Sequence, residues 1–162
     1  MKTLIAYASK TGTSEKCARM LAGRIPGATL CDLCKDKPDP SGYGQVIVGG
    51  SVRMGVLHVD ARQYLDGCKP ILMEKRLGLF LCAGFADKAD ALFENNVDPG
   101  LRAHAVLCAC FGGEVDMGKL HGFEKLVTKM ALRQFKDGDG HASLPHLFPE
   151  RIEAFAAQFA EA

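Results

Sequence analysis

The sequence predicts a doubly wound α/β fold: a single sheet of five parallel strands with helices on both faces and an extra helix inserted after strand five. Three observations predict it. Four apolar runs are nearly continuous instead of alternating, as strands covered on both faces require. Amphipathic helical patterns fall between those runs, so strand and helix alternate along the chain. The length, 162 residues, suits one domain (1–162) that buries one core.

Taken in order, residues 3–8 (TLIAYA) read as the first strand. A helix follows over 13–25, with Cys17, Met20, Leu21 and Ile25 at helical spacing. Residues 28–33 (ATLCDL) are a weaker second strand. The stretch 34–44 (CKDKPDPSGYG) holds two prolines and two glycines and reads as a connection without a clear helix. Strands at 45–50 (QVIVGG), 77–83 (LGLFLCA) and 105–111 (AVLCACF) alternate with helices at 58–67 and 86–96. The last helix, 149–160, has Pro149 in its first turn, where the missing N–H costs nothing.

Residues 112–148 lie between the fifth strand and that last helix, and the spacing predicts an additional helix over 118–135. Leu120, Phe123, Leu126, Val127, Met130 and Ala131 make its apolar side. Lys119, Lys125, Lys129, Arg133 and Lys136, against Glu124, make the other side basic. Such a helix either packs on the domain with a solvated charged face or meets an anionic membrane or a partner.

A formal net charge of +1, with no strongly basic half, excludes nucleic acid as the expected partner. No run approaches the length of a membrane-crossing helix, and the first residues lack the pattern of a secretory signal. The seven cysteines are odd in number and mostly inside apolar runs, as small buried hydrophobes in a reducing cytoplasm would be. Cys31 and Cys34 form a C-x-x-C, but no second pair follows at zinc-ligand spacing, so no metal centre is expected. That pair reads as ordinary thiols at a strand end, with redox or metal use as the alternative.

The chemistry concentrates in the loop after the first strand: Ser9, Lys10, Thr11, Gly12, Thr13 and Ser14. In a parallel sheet, ligands sit outside the carboxyl ends of the strands. Free N–H groups at the start of the next helix favour an anion there. A helix cap needs one hydroxyl; this loop has four, with a glycine that lets the chain approach closely. The loop is built for a phosphate. Neither G-x-x-x-x-G-K-S/T nor G-x-G-x-x-G occurs in it, which sets aside P-loop nucleoside triphosphatases and dinucleotide binders. Strand three ends Gly49-Gly50-Ser51 without the aspartate of a receiver domain, and Ser9 stands where a low-molecular-weight phosphatase carries its cysteine.

The hydroxyl-rich pattern resembles the flavodoxin phosphate loop, S/T-x-T-G-x-S/T, matched by Ser9, Thr11, Gly12 and Ser14. The string GGSVRMGVLH after strand three resembles the flavin-ring loop of the branch that includes menaquinone-dependent protoporphyrinogen oxidase. That branch shows S-I/V-R-x-G-x-x-H, met by Ser51, Val52, Arg53, Gly55 and His58. The late segment FGGEVDMGKLHGFEKLVTKMALRQF is similar to the same branch's helix-bearing insertion.

The resemblance implies a strand order of 2-1-3-4-5 and FMN as cofactor. The loop from Ser9 to Ser14 would hold the phosphate, with Lys10 adding charge. Ser51, Val52, Arg53, Met54 and Gly55 would line one side of the ring, and Ala83, Gly84, Phe85 and Ala86 the other, with Phe85 stacking. Arg53 would contact the pyrimidine edge of the flavin or a substrate carboxylate. His58 would carry a proton near the ring or cap the next helix. Gly112 and Gly113 would permit close approach or turn the chain. Met54 stands where relatives often have an aromatic, and the chain has no Trp. The implied function is an oxidoreductase that passes electrons from a reduced substrate, such as a porphyrinogen, to a quinone or other acceptor. A basic helix would suit peripheral approach to a membrane. The alternative is a non-enzymatic electron carrier, whose usual acidic docking rim the balanced charge does not supply.

Overall fold

The computed structural model describes residues 1–84, 86–113 and 146–161. The first apolar run forms β1 (Thr3–Ala8), buried at all six positions. It is followed by α1 (Thr13–Arg24) and β2 (Ala28–Asp32). A loop with one 3-10 turn at Pro40–Gly42 leads to β3 (Gln45–Arg53). Next come β4 (Val56–Leu57), α2 (Val59–Gly67), the short α3 (Lys69–Leu72) and β5 (Arg76–Cys82). A 3-10 turn at Ala86–Lys88 precedes α4 (Ala89–Asn96), then α5 (Pro99–His104), β6 (Leu107–Cys110) and α6 (Pro149–Glu161).

The parallel sheet runs β2-β1-β3-β5-β6, with β4 folded back antiparallel on β3. Leaving out that two-residue strand, this is the expected order of five. Side chains alternate across the sheet. Leu4, Ala6, Val46, Val48, Leu77 and Leu79 face one cluster with Tyr64, Leu65, Phe93 and Leu101 from α2, α4 and α5. Ile5, Tyr7, Ile47 and Phe80 face the other, closed by Cys17 and Leu21 of α1 and Ile152, Phe155 and Phe159 of α6. Each fully buried Leu or Phe contributes about 1.5–3 kcal/mol, so the two faces hold the sheet from both sides.

The second face has an aromatic layer that explains two strand glycines. Phe80 stacks on Phe111 at 5.2 Å, and Phe155 meets Phe111 edge-on at 5.5 Å. A Cβ at Gly49 would run into the Phe80 ring, and one at Gly78 would lie 2.9 Å from Phe155. These residues are glycine because a ring occupies the space a side chain would need.

The structure departs from the expected elements in local ways. β3 continues three residues beyond position 50 and turns into the β3–β4 hairpin. Only 89–96 of the helix expected at 86–96 is α-helical. The last strand is shorter than 105–111 because Ala105 caps α5 and Val106 is half exposed. The helix expected over 118–135 lies outside the described residues. Among the described residues, no helix is long and apolar enough to cross a membrane.

Candidate functional site

Register brings three loops together at the carboxyl ends of the strands. Ala8 pairs with Gly50, and Ser51 with Cys82. The chain therefore leaves β1, β3 and β5 at Ser9, the hairpin and Ala83 side by side.

The first loop ends at Gly12, which sits at φ +95 as the residue before α1 and donates its N–H to Ser9 Oγ at 3.0 Å. This left-handed conformation is why a glycine is needed there. Gly12 has no side chain to cap the helix, so the N–H groups of Thr13, Ser14 and Glu15 have no acceptor within it. Thr13 and Ser14 are buried, Ser9 and Thr11 half-buried, and Lys10 exposed. Ser14 is wholly buried, and its hydroxyl has no partner in hydrogen-bonding geometry. The Cys82 thiol is among its neighbours. Cys82 is held well above the ordinary thiol range by its contact with the Cys17 thiol at 3.6 Å and by burial, with Ser14 pulling the other way.

The second loop is a two-residue hairpin. Arg53 pairs with Val56, leaving Met54 at φ +53 and Gly55 at φ +79 as the turn. Two positive φ angles in succession define the type I′ turn that matches strand twist. Met54 is 63% exposed at the tip, Val56 and Val59 are also exposed, and Val52 packs against the core. At the base, Ser51 carries a second buried hydroxyl without a partner. Its carbonyl accepts the N–H of His58 at 2.9 Å.

The residue that fixes this hairpin is Asn96, at the end of α4, which sequence reasoning missed. It is 6% exposed. Its Oδ1 accepts the N–H of Leu57 at 2.9 Å, and its Nδ2 donates to the carbonyls of Gly55 at 2.9 Å and Leu92 at 2.8 Å. Nothing in helical periodicity marks it; an amide at a helix end is the one available signal.

The third loop contains Ala83, buried, and Gly84, half-buried. Ala86 begins the 3-10 turn, and Phe85 lies outside the described residues. Gly112, at φ +83, turns the chain, and its carbonyl accepts the N–H of Ala83 at 2.9 Å. A Cβ on Gly113 would lie 2.9 Å from the carbonyl carbon of Ala83. Gly113 thus permits close approach to the backbone of the third loop, whereas a Cβ on Gly112 would run into the His146 carbonyl and the Phe148 ring.

His58 caps α2: its Nδ1 accepts the N–H of Asp60 at 3.2 Å. Its Nε2 faces the Cys34 sulfur at 3.6 Å. Cys34 comes from the loop after β2, which flanks β1 on the side opposite β3. Burial, then the Asp32 and Asp60 carboxylates, push this thiol up, against a lowering contact with the Ser9 carbonyl.

The donor set fits a phosphorylated planar cofactor such as FMN. One end offers three helix-start N–H groups and the unpaired Ser14 hydroxyl, suited to a phosphate. The other offers the unpaired Ser51 hydroxyl and the backbone of a fixed hairpin. Two buried hydroxyls without partners, each costing about 1–3 kcal/mol, stand at the start of α1 and the end of β3, beside the two loops that such a ligand would join.

The family profile described as a flavodoxin domain matches residues 4–141. No curated protein matches the chain in sequence. Among solved structures, oxidised flavodoxin 1 from Bacillus cereus is similar, at 16% identity and a TM-score of 0.58, over 99% of this chain and 98% of that one. The Streptococcus pneumonia TIGR4 flavodoxin aligns at 17% identity and a TM-score of 0.56 over the same shares. A flavoprotein from Lactobacillus acidophilus NCFM, solved in complex with FMN, aligns at 17% identity and a TM-score of 0.54, over 67% of this chain and 92% of that one. At these identities the likeness is one of fold.

Proposed function

The chain belongs to the flavodoxin-domain family, and on that premise we propose that it binds FMN at the joined loops and moves electrons between a reduced substrate and an acceptor. The observation that carries this reading is the pair of buried, partnerless hydroxyls, Ser14 Oγ and Ser51 Oγ. A fold tolerates such groups where a ligand supplies their partner. When bound, FMN supplies the electron-transfer and hydride chemistry.

The protein's own residues then have distinct tasks. Ser9, Thr11, Thr13 and Ser14, with the helix-start N–H groups, hold the phosphate, and Lys10 adds positive charge. Gly12 brings the backbone close. Ser51 to Gly55 present the hairpin backbone to one side of the ring, and Ala83 to Ala86, with Phe85, present the other. Arg53 orients an anionic edge of cofactor or substrate. His58 keeps its Nδ1 in the helix cap, so Nε2 is the nitrogen left to carry a proton.

The finer reading is an oxidoreductase that takes electrons from a substrate of the porphyrinogen kind and delivers them to a quinone. It rests on the Ser51–His58 string and on the balanced net charge of +1. A carrier reading has its own support: Met54, Val56 and Val59 are exposed apolar side chains beside the ring loop, a surface suited to a protein partner. Titration of the purified protein with FMN, read by quenching of flavin fluorescence, tests the common part; no saturable binding overturns both readings. Photoreduction then separates them. Two well-resolved one-electron transitions support the carrier, and one two-electron transition supports the enzyme. Turnover of a reduced porphyrinogen with a quinone tests the substrate, and its absence removes that assignment.

A further inference from the structure

We propose that Cys34, His58 and Asp60 form a binding site for a thiophilic divalent cation of the zinc kind, placed beside the phosphate loop. The second cysteine of the C-x-x-C has no second C-x-x-C to pair with. Instead, the order β2-β1-β3 brings the loop after β2 and the start of α2 together across the end of β1. Cys34 is exposed there, with His58 and Asp60 half-buried, and one ligand atom from each lies within 4.8 Å of the others.

The geometry suits a tetrahedral ion. Zinc–sulfur bonds of about 2.3 Å and zinc–nitrogen bonds of about 2.0–2.1 Å put the two ligand atoms roughly 3.5 Å apart. Cys34 Sγ and His58 Nε2 are 3.6 Å apart. A carboxylate oxygen of Asp60 supplies the third ligand after a side-chain rotation, and solvent supplies the fourth. Thiolate, imidazole and carboxylate together select a borderline-soft ion over magnesium or calcium.

Loading rearranges three contacts. The Cys34 thiol gives up its proton to solvent as the metal–sulfur bond forms, and leaves the Ser9 carbonyl it now faces at 3.9 Å. Coordination at Nε2 places the imidazole proton on Nδ1, which then no longer accepts from the Asp60 N–H. It faces Asp60 Oδ2 at 3.7 Å instead. Lys37, whose ammonium lies 3.0 Å from Asp60 Oδ1, is the built-in competitor. It is half exposed, also donates to the Leu33 carbonyl, and gives up Asp60 when the ion binds. The site does not depend on FMN, so it is tested on the protein without added flavin.

The experiment is titration of the reduced protein with Co2+ alone, read by the thiolate-to-cobalt charge-transfer absorption, followed by competition with Zn2+. The expected result is one Co2+ per chain with that absorption, abolished by Zn2+. Cys34→Ser removes the band. His58→Asn keeps an oxygen to cap α2 but loses the ligand, and weakens binding at least tenfold. Lys37→Met removes the competing charge and tightens binding roughly tenfold. Circular dichroism of each variant confirms that it is folded. Three results each overturn the proposal: no charge-transfer band in the wild type at millimolar Co2+, a band that survives Cys34→Ser, or a band abolished by Cys31→Ser, which assigns binding to the C-x-x-C. Weaker binding in Lys37→Met also contradicts it.

Discussion

Replacing Asn96 with alanine tests whether the hairpin is held by one side chain. The amide satisfies the Leu57 N–H and the Gly55 and Leu92 carbonyls at 2.8–2.9 Å. Leu57 is 2% exposed, so its N–H loses its acceptor where water does not readily replace it, at about 1–3 kcal/mol. The Gly55 carbonyl belongs to an exposed residue and recovers a water, so its loss costs about 1 kcal/mol. Leu92 is in α4 and loses least. The sum is about 2–4 kcal/mol, which lowers the melting temperature by roughly 5–15 °C in a chain of this size.

Two measurements on the same variant separate fold from site. Urea unfolding without flavin reads the stability term. Flavin fluorescence titration reads the ring end of the site, where a loosened hairpin raises the Kd for FMN about tenfold. A stability loss under 0.5 kcal/mol would refute the clamp. A full stability loss with unchanged FMN affinity would refute the hairpin's part in holding the ring.

Four further expectations follow from other places in the chain. Ser14→Ala removes a hydroxyl that has no protein partner, so stability stays level or rises while FMN affinity falls about 10- to 100-fold, the worth of a hydrogen bond to a charged phosphate; unfolding curves and titration together check it. Gly49→Ala drives a methyl into the Phe80 ring and costs about 2 kcal/mol or more, and Phe80→Leu in that background recovers part of the loss in urea unfolding. Met54→Asn relieves a positive φ that suits Asn better than Met, raising stability by about 0.5–1 kcal/mol in thermal melts. Asp98, whose carboxylate is held low by Lys69 and by the N–H groups of Gly100 and Leu101 that it caps, stabilises above the ordinary carboxylate pKa. That stability is lost as pH falls through its depressed folded value, so Asp98→Ala should cost clearly at pH 7 and little at strongly acid pH; an equal cost at both contradicts the cap.

What the sequence made legible was what local patterns encode. Continuous apolar runs mark β1, β3 and β5, because strands covered on both faces leave few polar positions. Hydroxyls clustered around Gly12 mark the turn into α1 as a candidate anion site, because they all lie within six consecutive residues. The β3–β4 hairpin escaped because Met54 stands where turn chemistry would put Asn or Gly. The start of α5 was readable in Asp98-Pro99, a capping acid followed by proline, but a helix of six residues leaves too little periodicity. Asn96 and the Cys34–His58 contact are products of topology. They join residues 39 to 41 and 24 positions apart, and no local pattern announces them.

Met54 bears on where the selectivity of the candidate site lies. A left-handed backbone conformation costs a bulky residue about 1–2 kcal/mol, and it persists because the neighbouring contacts over-determine it. Arg53 pairs with Val56, Asn96 holds Leu57 and Gly55, and the His58 N–H bonds to the Ser51 carbonyl. The side chain at this strained position contributes nothing to the core, since it is 63% exposed. On the proposed reading, its benefit lies in what the hairpin tip would meet: the flavin ring, a substrate or a partner. A residue serving only the fold would improve in every assay on conversion to asparagine. Met54→Asn should instead gain stability and lose FMN affinity or electron-transfer rate, the trade expected where a functional side chain is held in strain. A gain in stability with both functional readouts unchanged would move the selectivity away from the hairpin tip, to Arg53 and the loop from Ala83 to Ala86.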